Sequence, residues 1–283
     1  MNVLVVGQGG REHALCWKLR QSPLLKRLFC APGNPGTKLV ADNVEIPAED
    51  VAKLLRFAVD EKIDLTVVGP EGPLCDGIVD AFAAQKKLCF GPNKAAAEIE
   101  GNKAFARELC RRHRVPGPSF WVYEELAMAR SFLDNRPDGP LVVKASGLAA
   151  GKGVTVCKNN EEAKAAIAEC MEKRRFGEAG GRVVFEEFLE GNEVSLITLT
   201  DGRTIVPLEP ARDHKAVGDG DKGPNTGGMG VITPVSVLPR IRTQIESQIV
   251  FPTVHAMNRE NRRFQGFLYA GLMLTAQGPR VLE

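Results

Sequence analysis

Residues 141–158 read LVVKASGLAAGKGVTVCK. An apolar run ends at Lys144, a loop holding Gly147, Gly151 and Gly153 carries a second cation at Lys152, and a β-branched run begins at Val154. This order decides the fold because it offers triphosphate chemistry without a Walker A loop, which needs G-x-x-x-x-G-K-[ST] opening a helix. Here one spacer residue is missing, Gly153 replaces the hydroxyl residue, and strand follows instead of helix. The glycines let the backbone turn and aim N–H groups at phosphate oxygens. Lys144 and Lys152 supply point charges for the same oxygens. The segment reads as a lid between two antiparallel strands that folds over a nucleotide. The competing reading is a plain hairpin turn with two solvated lysines.

Upstream of this segment, strands and helices alternate over about the first 100 residues. Expected strands are Val3–Val6, Leu28–Ala31, Ile63–Val68 and Leu88–Phe90. Between them lie helices from about Arg11 to Gln21, along the stripe of Val51, Leu54, Leu55, Ala58 and Val59, and over Ile78–Ala84; another runs from about Ala95 to Arg112. Such alternation predicts a parallel sheet with right-handed crossovers. After Pro116 strand-like runs come in pairs, interrupted by helices at Glu124–Leu133 and Glu161–Lys173. Pro207–Pro234 reads as loop, Arg240–Asn258 as helix, and Gly266–Thr275 with Pro279–Glu283 as a final hairpin. The fold class is therefore α/β, with a second unit of α+β type and mainly antiparallel pairing.

Several strand ends carry candidate binding loops. Gly7-Gln-Gly9-Gly10-Arg11-Glu12 joins the first strand to the first helix, where open parallel sheets bind anions. Glu12 stands at the third glycine's place in the dinucleotide fingerprint and no acidic residue clearly ends the second strand, so a nicotinamide cofactor is disfavoured. A small phosphorylated substrate suits better, with Arg11 as phosphate partner; a plain glycine turn is the alternative. Loops around Asn34 and Glu71 follow two other strands at the same sheet edge. Further on, Glu186-Glu187-Phe188-Leu189 offers an extended backbone and apolar contact for an adenine, and Glu193 an acceptor for ribose hydroxyls; a solvated acidic turn is the competing reading. The stretch Asp213–Gly230 fails as an EF-hand, because Gly223, Pro224 and Gly230 occupy ligand and turn positions. Its Asn225-Thr226-Gly227-Gly228 run offers donors for a carboxylate or acyl phosphate; a disordered surface loop is the alternative. Glu283 ends an apolar strand and is a candidate ligand for Mg²⁺, with a frayed terminus as the favoured reading of that residue alone.

Composition narrows the class. The 283 residues suffice for two or three packed units. The net charge of +2, from 37 basic and 35 acidic residues, gives no argument for a nucleic-acid partner. Seven cysteines with no C-x-x-C pair, and four dispersed histidines, exclude a disulfide framework and a zinc site and suggest a reducing cytoplasm. No apolar run approaches the ~18 residues of a membrane span, and no export signal opens the chain.

Taken in order, the stretches GQGGREHAL, APGNPGT, VVGPEGPL, VVKASGLAAGKGV, FEEFLEGNEVS, DHKAVGDGDKGPNTGGMG and LYAGLMLT…GPRVLE resemble the phosphoribosylamine–glycine ligases (glycinamide ribonucleotide synthetases) of the ATP-grasp superfamily. The resemblance implies a Rossmann-like N-terminal substrate domain over 1–100 and an ATP-grasp domain over 101–283. Within the latter it implies a lid subdomain at 119–190 and an incomplete central subdomain at 191–283. It implies ATP and Mg²⁺ or Mn²⁺ as cofactors, with glycine and 5-phosphoribosylamine as small-molecule substrates. Lys103 and Lys144 are then expected at the ATP phosphates and adenine edge, Ser146, Gly147, Gly151, Lys152 and Gly153 in the lid, and Glu186–Leu189 at the adenine with Glu193 at the ribose. Glu283 is the expected metal ligand, with Lys144 and Lys152 the catalytic cations. Gly9, Gly10, Arg11, Asn34, Glu71, Asp213, His214, Lys215, Asn225, Thr226, Gly227, Gly228 and Met229 are expected to line the substrate sites.

Ser146 and Ala216 depart from the family pattern, which carries Asp and Arg there. The family also continues beyond the position of Glu283, through a second metal-binding Asn into a further domain. The chain thus resembles the N-terminal two-thirds of such an enzyme, and a C-terminal chain or segment is expected to complete the site. Two readings stay beside it: a nucleotide-binding fragment without turnover, and another ATP-grasp carboxylate–amine ligase.

Overall fold

The computed structural model describes residues 1–149, 152–220 and 222–283. The chain forms two compact units, one of Met1–Glu98 with Arg262–Gly266 and the other of Ile99–Asn261 with Phe267–Glu283.

In the first unit, strands β1 (Asn2–Gly7), β2 (Arg27–Pro32), β3 (Asp42–Asn43), β4 (Leu65–Val68) and β5 (Leu88–Phe90) form a parallel sheet in the order β3-β2-β1-β4-β5. Val3–Val6 are buried, as the central strand of a sheet covered on both faces requires. Leu4, Val6 and Phe29 pack with Leu54 and Ala58 on one face, while Val3, Val5 and Cys30 pack with Cys16 on the other. Those partners come from α1 (Gly10–Arg20) and α2 (Val51–Asp60), the latter started by Asp50, whose carboxylate accepts the Lys53 N–H. Helix α3 (Glu71–Asp76) replaces the loop expected after Gly69. Pro73 falls in its first turn, where a missing N–H costs nothing, and Gly77 at φ +92° ends it before α4 (Ile78–Ala84).

The single helix expected from Ala95 to Arg112 is two, α5 (Lys94–Gly101) and α6 (Lys103–Arg112). Asn102 divides them. Its backbone is extended and its side chain accepts the Phe105 N–H, so it starts a new helix instead of continuing the old one.

The second unit holds two four-stranded antiparallel sheets. Strands β6 (Phe120–Tyr123), β7 (Leu141–Ala145), β8 (Val154–Cys157) and β9 (Val183–Glu187) pair in the order β6-β9-β7-β8. Helices α7 (Leu126–Asn135) and α8 (Asn160–Ile167) cover one face, with Leu133, Ala163 and Ile167 against Leu141, Val143 and Phe185. The other sheet has the order β11-β10-β14-β15. It comprises β10 (Asn192–Thr200), β11 (Ile205–Pro207), β14 (Gly266–Thr275) and β15 (Gly278–Val281). Leu196, Leu272 and Val281 pack there with Ile245, Ile249 and Val250, from α9 (Pro239–Ile245) and the π-turn leading into α10 (Phe251–Arg259).

Pro207–Pro234 is not the loop expected. Arg212–Gly218 (β12) and Lys222–Ile232 (β13) form a two-stranded antiparallel ribbon. Its pairing is carried by backbone hydrogen bonds along residues of low strand propensity, and its register shifts twice, between His214 and Ala216 and between Ala216 and Gly218.

Candidate functional site

In the first unit the carboxyl ends of β1, β2 and β4 meet at the point where strand order reverses around β1. Gly7 has φ +128°, and the following turn starts α1. Glu12 folds back under that turn: Oε2 accepts the Gly9 N–H at 2.6 Å. A Cβ at Gly69 would lie 1.9 Å from Glu12 Oε1, and one at Gly7 2.6 Å from its Cδ. The carboxylate thus fills the hollow left by two glycines, where a dinucleotide pyrophosphate would need room and positive potential. Arg11 Nη1 donates to the Gly69 carbonyl at 2.5 Å and lies 4.0 Å from the Glu71 carboxylate. Asn34 donates to the Gln8 and Gly9 carbonyls, and its Oδ1 accepts from Gly36 and Thr37 N–H. Gly9, Gly10, Arg11, Asn34 and Glu71 therefore share one sheet edge, as their loops predicted.

In the second unit Leu141–Ala145 and Val154–Cys157 pair antiparallel, with Lys144 opposite Val154. Between them, Gly147 and Gly153 are required by crowding and not by left-handed backbone. A Cβ on Gly147 would meet Ala179 Cα and Cβ at 2.7 Å, and one on Gly153 would meet Ala149 Cβ at 2.6 Å. Lys152 is exposed. Gly151 lies outside the described residues.

Lys144 is buried. Its Nζ lies 2.8 Å from Glu186 Oε2 and donates to the Leu282 carbonyl at 2.8 Å. Arg107, also buried, forks onto the same carboxylate, Nε to Oε1 at 2.6 Å and Nη2 to Oε2 at 2.9 Å, and donates to the Val281 and Leu282 carbonyls. Burial pushes the Glu186 carboxyl up, but the Lys144 and Arg107 charges outweigh it and hold it below its ordinary value. Burial pulls the Lys144 ammonium down and Arg107 adds to this, against the attraction of Glu186. Sequence reasoning missed Arg107. Its spacing from Lys103, one helical turn on α6, was the only available signal.

Around this cluster, Lys103 donates its backbone N–H to the Ser146 carbonyl at 2.8 Å and its Nζ to the Gly147 carbonyl at 3.3 Å. Ser146 is buried; its Oγ accepts the Ala104 N–H at 3.2 Å and donates to Asn102 Oδ1 at 3.1 Å. Glu187, Phe188 and Glu193 are exposed where the chain leaves β9 for the second sheet, and Leu189 is half-buried. Gly191 is pinned there, since a Cβ would lie 2.3 Å from the Leu274 carbonyl. Lys215 Nζ lies 3.1 Å from Glu283 Oε1 and 3.9 Å from Glu193 Oε2. Burial pushes the Glu283 carboxyl up, but Lys215 draws it below its ordinary value, with Lys144 and Lys103 adding to the pull.

The ribbon brings Asp213, His214 and Lys215 on β12 opposite β13, which carries Asn225–Met229. Thr226 Oγ1 donates to the Lys215 carbonyl and accepts the Gly228 N–H. Asp213 Oδ1 is buried with no hydrogen-bond partner among the described residues, 3.1 Å from where a Gly228 Cβ would stand. Met229 is exposed.

Among the described residues no group of three or more His, Cys, Asp or Glu could hold a metal alone. Glu283 nevertheless fits a hard divalent cation of the kind bound through one or two carboxylates plus substrate phosphates. Its carboxylate is held ionised beside the lysines, so phosphate oxygens could supply the remaining ligands.

Family models cover the whole chain: residues 1–100 match the phosphoribosylglycinamide synthetase N domain and residues 101–283 its ATP-grasp (A) domain. Phosphoribosylamine–glycine ligase of Pasteurella multocida is 49% identical over 287 residues, and that of Allochromatium vinosum 50%. Each alignment takes in 100% of this chain and 67% of the relative, so the chain spans about two-thirds of their length. The crystal structure of phosphoribosylamine–glycine ligase from Thermotoga maritima superposes with a TM-score of 0.86 at 33% identity, covering 100% of this chain and 68% of that one. A D-alanine–D-alanine ligase from Bacillus anthracis shares the fold at a TM-score of 0.66 and 13% identity. With both family models matched end to end and relatives near half identical, the chain belongs to the phosphoribosylglycinamide synthetase family.

Proposed function

We propose that this chain ligates glycine to 5-phosphoribosylamine at the expense of ATP, giving glycinamide ribonucleotide, ADP and phosphate in purine synthesis. The reading is carried by the buried cluster at Lys144. Two cations, Lys144 and Arg107, face one carboxylate, Glu186, leaving a buried excess of positive charge that a polyphosphate would neutralise. Family membership implies ATP and a divalent metal. Mg²⁺ or Mn²⁺ held by Glu283 and phosphate would neutralise charge on the transferring phosphoryl group.

In this reading a glycine carboxylate oxygen attacks the γ-phosphorus and ADP leaves. The amine of phosphoribosylamine then attacks the carbonyl carbon of glycyl phosphate, loses a proton, and expels phosphate. Lys103, Lys144 and Lys152 hold the phosphates, with Ser146, Gly147, Gly151 and Gly153 in the closing lid that keeps water from the acyl phosphate. The backbone of Glu186–Leu189 takes the adenine and Glu193 the ribose. Gly9, Gly10, Arg11, Asn34 and Glu71 take the phosphorylated amine. Asp213–Lys215 and Asn225–Met229 take the glycine carboxyl. The domains are those of residues 1–100 and 101–283, with the lid at 119–190 and the central subdomain at 191–283. The free thiols of all seven cysteines suit a cytoplasmic setting.

Nucleotide binding without turnover is the second reading; the chain spans about two-thirds of the length of the curated relatives it matches. ADP release dependent on both glycine and phosphoribosylamine supports ligation. ATP binding by calorimetry with no ADP formed supports the second reading, and no binding of ATP removes both.

A further inference from the structure

The ligase reading gives Arg107 itself no substrate, although it shares α6 with Lys103; yet its guanidinium is fully engaged within the buried cluster. It is 5% exposed. Nε and Nη2 grip both oxygens of Glu186, at 2.6 and 2.9 Å. Nη1 donates to the Val281 carbonyl at 2.9 Å, and Nη2 donates a second time, to the Leu282 carbonyl at 2.5 Å. No other side chain of this cluster holds both oxygens of the carboxylate and two consecutive carbonyls.

Those partners belong to different sheets. Glu186 is on β9 in the sheet β6-β9-β7-β8, and Val281 ends β15 in the sheet β11-β10-β14-β15. The guanidinium therefore bridges them from α6, and its planar fork fixes two directions at once. Lys144 spans Glu186 and Leu282 as well, but as a point charge it fixes distance without direction. Glu283 follows Leu282 directly, so the orientation of the Leu282 peptide sets where its carboxylate begins. That end of β15 is also held by Lys144 at the Leu282 carbonyl, by Lys215 at the Glu283 carboxylate, and by backbone bonds from Val281 N–H to the Pro116 carbonyl and from Leu282 and Glu283 N–H to the Gly271 carbonyl.

We propose that Arg107 is a positioning residue that couples the adenine end of the nucleotide site, at Glu186, to the strand end that carries Glu283. The proposal rests on the nucleotide reading above. Nucleotide seated along Glu186–Leu189 steadies the carboxylate, the fork transmits this to the Val281 and Leu282 carbonyls, and Glu283 is held in place before any cation arrives.

The test uses the 283-residue chain with ADP in the presence of a chelator, so that no divalent cation links phosphate to Glu283. Calorimetry measures ADP binding, and hydrogen exchange follows the peptide 279–283. In the wild type, ADP slows exchange of that peptide. Arg107→Lys keeps the charge and loses the fork; it still binds ADP, while the ADP-dependent slowing falls by about tenfold, within the usual range of coupling between sites. Retained slowing in Arg107→Lys overturns the proposal and leaves Arg107 a structural ion pair. Loss of ADP binding by a folded Arg107→Lys variant overturns it also, by making Arg107 a binding residue. Should the variant fail to fold, the wild type decides: bound ADP with no slowing at 279–283 overturns the coupling. Absence of ADP binding by the wild type removes the nucleotide reading itself, and the proposal with it.

Discussion

Lys215 and Glu283 form an ion pair of 3.1 Å although their residues come from β12 and from beyond the end of β15. The pair holds Glu283 below its ordinary value and Lys215 above its own, in each case against the opposing effect of burial. The sign follows for each partner. A depressed carboxyl contributes stability that is present above its ordinary value of 4.5 and lost as pH falls through the folded value. A raised ammonium contributes stability that is present below 10.5 and lost as pH rises through the folded value. The pair is therefore intact across neutral pH. Lys215→Met removes the largest pull on Glu283 and leaves only Lys144 and Lys103 to oppose burial, so its carboxyl rises. The acid limb of metal-dependent nucleotide binding should move to higher pH by about 1–3 units, as expected when an opposite charge is removed. Calorimetric titrations across pH check this, and an unmoved limb removes Glu283 as the metal ligand.

Lys144→Met should leave a folded protein, because Arg107 still pairs with both oxygens of Glu186. The buried excess of positive charge is then gone. Losing one preorganised charge at a developing anion costs about 10²–10³ in kcat. Steady-state ADP release and a melting curve check the two halves of this expectation. Near-normal turnover contradicts the phosphate role of Lys144.

The parallel sheet was legible because its central strand is buried on both faces, and such strands read as unbroken apolar runs such as Val3–Val6. Leu141–Ala145 was legible for the same reason, whereas Val154–Cys157, an edge strand with Thr155 and Val156 exposed, was legible from its β-branched run after glycine. What the sequence hid depends on distant partners. Arg107 reaches residues 79 and 174 positions away, and an arginine on a helix is ordinarily solvated. The ribbon of β12 and β13 is rich in glycine, so its strand character lies in backbone pairing that composition does not report. Gly101 and Asn102 interrupt a run that otherwise favours helix, and the Asn102 cap becomes intelligible only once Ser146 is seen beside it.

Gly147→Ala should destabilise the lid. The new methyl would stand 2.7 Å from both Cα and Cβ of Ala179, and backbone cannot rotate away as a side chain can. Overpacking of this kind costs about 1–3 kcal/mol. The Gly147 N–H also donates to the Ala179 carbonyl at 3.1 Å, so any relief of the clash breaks that bond. Chemical denaturation should show the loss, with KM for ATP rising at the same time. An unchanged midpoint contradicts the close approach.

The surroundings of Ser146 fit a hydroxyl and not a carboxylate. The hydroxyl accepts from Ala104 N–H in the first turn of α6 and donates to Asn102 Oδ1. That same Oδ1 accepts the Phe105 N–H at 3.1 Å, so it cannot be exchanged for the amide nitrogen without losing the helix cap. Ser146→Asp therefore sets an ionised acceptor against a committed acceptor. It should destabilise by about 1–3 kcal/mol, the scale of a buried polar group left unpaired. A serine at position 102 would resolve the conflict, since its hydroxyl can cap Phe105 N–H and donate to the new carboxylate at once. The double variant Asn102→Ser with Ser146→Asp should recover most of the loss, whereas Asn102→Ser alone should cost only a fraction of a kcal/mol, serine and asparagine being nearly equal helix caps. A thermodynamic cycle from urea midpoints measures the interaction between the two sites. Additive effects would show that the hydrogen bond between Ser146 and Asn102 does not set the residue at 146.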